Sequence, residues 1–228
     1  MLGTIVNAIA IIGGSIAGII LKGGLPERMS QTIMQGVGLC VTLIGLSGAL
    51  KGMDYLMEII FFIVIGTIIG EGFNIELRLE RFGDRLEKRF SKNGSTFSKG
   101  FVTASLLYCV GAMAIMGALD SGLRGNHETL FAKSILDGII SIVLASTLGI
   151  GVAFSAFSVF IYQGSITLLA GALSSVLTEP VIIQMSATGG LLILGLGLSM
   201  VLSAKVKVGN MLPSVLLPIF YHMIMQIF

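Results

Sequence analysis

The sequence predicts an all-α fold: a polytopic transmembrane helical bundle of seven to eight spans, with one amphipathic helix on the cytoplasmic surface. Three observations predict it. Apolar, nearly uncharged runs follow one another from Leu2 to Phe228, each of roughly 18–22 residues, and a bilayer core of ~30 Å takes ~20 apolar residues per helix. Only 11% of the 228 residues are charged and the mean hydropathy is +0.98, whereas a soluble domain carries ~25% charged residues. Glycine is abundant, with 31 residues, and small residues permit the close helix contacts that replace the hydrophobic drive inside lipid.

The whole chain, 1–228, reads as a single integral membrane domain. Eight spans are expected, at about 3–21, 31–50, 56–70, 101–119, 135–154, 157–177, 181–202 and 211–228. No Lys or Arg precedes Lys22, so the first run reads as a retained span rather than a signal peptide, which would begin with a basic region. The break between the fifth and sixth spans carries no charge and no proline; it is placed at Phe154-Ser155-Ala156-Phe157. The last span contains Pro213 and Pro218, which kink a helix and free carbonyls.

Charge sets the expected orientation. With segment 71–100 in the cytoplasm, Lys22, Arg28, Arg78, Arg81, Arg85, Lys88, Arg89, Lys92, Lys99, Lys205 and Lys207 lie inside, and Lys51, Arg124 and Lys133 outside. That bias of 11 to 3 follows the positive-inside rule, and places both termini outside. Merging two runs into one gives seven spans but moves Lys205 and Lys207 outward. Within 74–91, Ile75, Leu77, Leu79, Phe82, Leu86 and Phe90 recur mostly at helical three- and four-residue steps among charged residues, the pattern of an amphipathic helix on the membrane surface or docked on its own bundle or a partner.

Two internal similarities are present. Cys40-Val41 with Gly48-Ala49-Leu50 recurs at identical spacing as Cys109-Val110 with Gly117-Ala118-Leu119. Gly45-Leu46-Ser47 matches Gly197-Leu198-Ser199 in a span of opposite direction. Both parallel and inverted repeats occur in transporters, and glycine-rich helices also resemble one another by composition alone.

The sequence offers little for catalysis. It holds no GxxxxGK[ST], HExxH or GxSxG and no paired His/Cys metal spacing, so no enzyme activity, metal or cofactor is expected. With a net charge of only +2, nothing points to nucleic acid. Cys40 and Cys109 read as packing residues. The informative groups are polar side chains at membrane depth, which are costly there and face a bundle interior or a water-filled path. Asp120 and Ser121 sit among Gly111, Gly117, Gly122 and Gly125, where a helix can break and expose backbone groups to an ion, or simply end in an outer turn. Lys133 and Asp137 are four apart and share a helix face; Ser134 and Asp137 also have capping-box spacing ahead of an apolar run. Asp137 is therefore either a ligand or a cap, or both. Asn7 lies inside the first span, and Gln163, Ser165 and Thr167 give the sixth a polar stretch, suited to interhelical hydrogen bonds or to lining a path. Glu71 reads as solvated at the inner surface, and His222 as a satisfied buried histidine or a proton relay.

These motifs resemble a known family. The run from Cys109 to Leu119, then Asp120, Gly122 and Gly125, then Lys133-Ser134 and Asp137-Gly138 is similar to the YdfK/YqgA-like family of bacterial multi-spanning membrane proteins, defined by a domain of unknown function (number 554). Ser146 to Val152, Phe154-Ser155-Ala156, Tyr162 to Thr167, and the N-terminal Gly3 to Asn7 with Gly13-Gly14 fit it too. The resemblance covers essentially the whole chain. It implies a protein of the bacterial cytoplasmic membrane and a shared site at Asn7, Asp120, Lys133, Asp137 and Gln163, but no substrate.

The resulting expectation is a secondary transporter of an ion or small solute, with Asp120, Asp137, Lys133, Asn7, Gln163, Ser165 and Thr167 as binding residues. The alternatives are a passive channel or facilitator, and a membrane scaffold or sensor that works through the basic surface helix. The expected partners are the lipid bilayer and a small solute or ion; glycine faces such as Gly14 to Gly18 also allow a homo-oligomer.

Overall fold

The computed structural model describes residues 1–22, 27–78, 81, 97–109, 112–202 and 206–225. They are predominantly helical, with no strand among them. Among the described residues, seven helices are long and apolar enough to cross a membrane, or eight if one bent pair counts as a single span. The long helices are α1 (Leu2–Lys22), α2 (Glu27–Leu50), α3 (Leu56–Phe73), α4 (Phe97–Cys109), α5 (Ala112–Leu123), α6 (Glu128–Leu148), α7 (Gly151–Leu168), α8 (Glu179–Leu202) and α9 (Leu217–Met225). Of the expected surface helix, residues 75–78 are helical, and 79, 80 and 82–91 lie outside the described residues.

Glycines decide which helices meet. α1 lies along α6 in parallel: Gly3 abuts Leu130, Gly14 abuts the carbonyl of Gly138, and Gly18 abuts the carbonyl of Ile142. A side chain on Gly14 or Gly18 would collide with α6 backbone, so hydrogen in place of Cβ is what allows this approach. The other face of α1 carries Ile5, Ile9, Ile12, Ile16 and Ile20, all exposed, at the three- and four-residue steps of a lipid-facing stripe. α2 packs on α8 in the opposite sense, with Gly38 against Gly197 and Gly45 against Gly190. α4 runs parallel to α7, where Gly151 abuts Phe97 and Ser105 donates to Ser158 at 3.1 Å.

α8 is the most deeply buried span, 67% inside the protein. Residues from α1, α2, α4, α6, α7 and α8, including Ile11, Val41, Tyr108, Leu144 and Ile193, form one core. A second core gathers Ile115, Ile166, Val181, Met185 and Val215. α3 ends on Asn74 in the left-handed conformation, φ 49°. It packs on the segment before α9, Gly70 against Asn210 and Gly66 against Ser214.

Three expectations are corrected. The fifth span does not begin at 135: α6 starts at Glu128, because Lys133 and Asp137 are buried by neighbouring helices rather than left in a loop, while Glu128 stays exposed in the first turn. The turn to the next span is not at Phe154 to Phe157 but at Gly149-Ile150, where Gly149 has φ 76°, a conformation that suits glycine. The expected 101–119 span is two helices, with Phe97–Cys109 and Met113–Leu123 bent by 59°. The bend therefore falls well before Asp120, which lies near the end of α5.

Candidate functional site

A polar cluster sits inside the bundle where α1, α6 and α7 meet. α6 brings Lys133, Asp137 and Ser141 to one face, each four residues from the next. Asp137 lies nine residues into a 21-residue helix, ~13 Å from its start at 1.5 Å per residue and thus near mid-span. Lys133 Nζ is 2.9 Å from Asp137 Oδ1 and 2.8 Å from Oδ2. Asn7 Nδ2 of α1 donates to Asp137 Oδ2 at 3.0 Å and to Gln163 Oε1 of α7 at 3.3 Å. Asn7 and Gln163 are 0% exposed, Asp137 3% and Lys133 7%.

α4 closes the cluster. Lys133 Nζ lies 5.9 Å from the centre of the Tyr108 ring, within cation–π range, and the Tyr108 hydroxyl pairs with Ser141 at 2.7 Å. Among the expected site residues, the structure thus brings Asn7, Lys133, Asp137 and Gln163 together. Thr167 is buried one turn beyond Gln163 on the same helix face. Asp120 and Ser165 are elsewhere. Asp120 pairs with Arg124 at 3.7 Å. Ser165 is exposed and lines an outer groove with Phe157 and Ile161.

The capping role for Ser134 and Asp137 is also corrected. Both lie beyond the first turn of α6, and Ser134 Oγ donates to the Leu130 carbonyl at 2.6 Å. Tyr108 and Ser141 were not anticipated. The regular spacing Lys133, Asp137, Ser141 was the available signal for Ser141; for Tyr108 it was a phenol within an apolar run, which needs a partner when buried.

The cluster is incompletely satisfied. Asn7 Oδ1, Gln163 Nε2, Thr4 Oγ1 and Thr167 Oγ1 are buried without a hydrogen-bond partner, an arrangement that costs free energy unless something fills it. The amides offer an acceptor and a donor, and each hydroxyl can act as either. Among the described residues, no group of three or more His, Cys, Asp and Glu side chains is placed to hold a metal ion.

Further polar contacts tie the chain together at two other places. Gln184, buried in α8, bonds His222 of α9 at 3.1 Å. At the end of α3, Glu71 is not merely solvated: it accepts from Lys207 Nζ at 2.9 Å and from Asn210 Nδ2 at 2.5 Å. Asn210 Oδ1 accepts from the Glu76 amide at 2.7 Å. Asn210 is buried, so Asn210→Ala is expected to cost about 1–3 kcal/mol in unfolding measurements. The Lys207–Glu71 pair is half-exposed, and Lys207→Ala is expected to cost under ~1 kcal/mol; the reverse order would refute this account of the α3 junction.

Comparison with known proteins agrees with the architecture. The family model described as "Protein of unknown function (DUF554)" matches residues 2–223. The chain is 39% identical over 221 residues to "Uncharacterized membrane protein YdfK" of Bacillus subtilis (strain 168), covering 96% of this chain and 94% of that protein. It is 28% identical over 222 residues to "Uncharacterized protein YqgA" of Escherichia coli (strain K12), covering 95% and 94%. No solved structure matches it. A family match over nearly the whole length, joined to a helical membrane architecture, makes this chain a member of the DUF554 family of unknown function.

Proposed function

We propose that the protein is a secondary transporter of an ion or small solute, and that Lys133, Asp137, Asn7 and Gln163 form its binding site. One observation carries this reading: a buried ion pair near the middle of a membrane-long helix, with Asn7 of α1 bonded to its carboxylate, Gln163 of α7 bonded to Asn7, and one atom of each amide left unsatisfied. An ion pair kept only for stability is a poor choice, since well-packed apolar residues do as well or better. Ionisable groups within spans mark ion and substrate pathways by default. Closure of the site favours a transporter over a channel, because an open pore would leave these groups in contact with water. The reading assigns no catalytic step.

The test uses purified protein in proteoliposomes, offered amino acids, small carboxylates, sugars, Na⁺ and K⁺ in turn, with and without a pH gradient. Uptake or current of one class above that of empty vesicles is expected, and its loss in Asp137→Asn. Flux that Asp137→Asn leaves intact would remove the site from the pathway.

The reading also places segment 71–100 in the cytoplasm of a bacterial cell, supported by the distribution of basic residues. With Cys40 and Cys109 replaced by alanine, a single cysteine at position 94 is expected to react with an impermeant maleimide only after the cells are opened, and one at 125 in intact cells. The opposite labelling pattern would invert the topology.

A further inference from the structure

Resting on that reading of the site, we infer that its ligand is a small zwitterion of the size of glycine or alanine, whose carboxylate pairs with Lys133 and whose ammonium pairs with Asp137. The argument begins with charge. Lys133 and Asp137 neutralise each other at 2.8 Å in a site that is nearly inaccessible to water. A lone cation would satisfy Asp137 and strand the ammonium of Lys133, and a lone anion would strand the carboxylate. A buried charge deprived of its partner is strongly penalised. A ligand carrying both charges exchanges one neutral arrangement for another, and each protein charge leaves its present partner only for an equivalent one.

The unsatisfied atoms fit the same ligand. Asn7 Oδ1 accepts and Gln163 Nε2 donates, so an ammonium and a carboxylate each have a further partner on offer, the first on a residue bonded to Asp137 and the second one hydrogen bond further, through Asn7. Asn7 already touches Asp137, which puts its free oxygen next to the position an ammonium would take. Size follows from closure: Asn7 and Gln163 are 0% exposed and Asp137 3%, and the contact of α1 with α6 at Gly14 is too close even for a methyl group, so the site suits only a small ligand.

The experiment measures binding and flux separately. Purified wild-type protein is titrated with glycine and L-alanine, and with acetate and methylammonium, each of which carries one of the two charges. Melting temperature and equilibrium binding of radiolabelled glycine are read. Saturable binding of glycine or alanine is expected, with an upward shift of about 5–10 °C at 100-fold excess over Kd, and little response to either half-ligand. In Lys133→Met/Asp137→Leu, which keeps the core neutral, binding is expected to vanish while the protein remains folded. Equal binding of acetate or methylammonium, binding retained in the double variant, or no binding of either zwitterion would each overturn the inference. The two readings fail separately: glycine binding without flux leaves the zwitterion site and removes the transporter, whereas Asp137-dependent flux of a singly charged solute alone does the reverse.

Discussion

Asp137→Leu alone is expected to destabilise the folded protein by about 3–5 kcal/mol, and Lys133→Met/Asp137→Leu to recover most of that loss. The single change leaves the Lys133 ammonium, 7% exposed, with the face of Tyr108 as its remaining close contact on α4. A cation–π contact is worth ~2 kcal/mol when desolvated, too little to hold a buried charge. The single change also removes the acceptor for Asn7 Nδ2. The double variant removes both charges, and methionine and leucine fill the space without requiring hydrogen bonds. Unfolding in a fixed detergent, read as a double-mutant cycle, gives the coupling directly. A double variant no more stable than Asp137→Leu would show that Lys133 is held chiefly by groups other than Asp137. The recovered protein is also the sharpest functional control, since a stable bundle without the pair separates folding from binding.

Much of the fold was legible because hydropathy is a strong signal for membrane helices. One of its errors comes from charge. Hydropathy treats a charge as a loop, so the fifth span was expected to begin after Lys133, whereas α6 carries Glu128, Lys133 and Asp137 within the helix. What makes this tolerable is tertiary: Asn7 arrives from α1, 130 residues away in sequence, to bond Asp137, and Gln163 of α7 bonds Asn7 in turn. A local pattern such as the capping box cannot register that. The glycines of 109–125 signalled a bend correctly in kind but not in place. Other misplacements were avoidable. Gln163 and Thr167 are one helical turn apart and share a face, while Ser165 lies about 200° round from Gln163 on the helical wheel. Periodicity alone separates the buried pair from the exposed serine. The Asn210 junction was illegible, because its partners Glu71 and Glu76 lie in another part of the chain.

Neighbouring glycines on α1 are expected to respond in opposite directions to the same substitution. Gly13 faces outward, and a methyl group added there would meet nothing within 4 Å, so Gly13→Ala should be neutral or stabilise by about 0.5–1 kcal/mol through reduced backbone freedom. Gly14 faces α6, where an added Cβ would meet the Gly138 carbonyl oxygen and come within 3.1 Å of Ser141 Cβ. Backbone cannot rotate aside as a flexible side chain can, so α1 must move, and Gly14→Ala should cost about 1–3 kcal/mol. The displacement reaches the site. Asn7 lies two turns from Gly14 on the same helix face, and its 3.0 Å bond to Asp137 depends on the helix separation that Gly14 permits. Gly14→Ala is therefore expected to weaken ligand binding as well as stability, and Gly13→Ala to leave binding unchanged. Thermal unfolding and glycine binding on the two variants, prepared side by side, check both. Equal responses would mean that contact between α1 and α6 does not set the geometry of the pair, and that Asn7 reaches Asp137 by a looser arrangement than this packing implies.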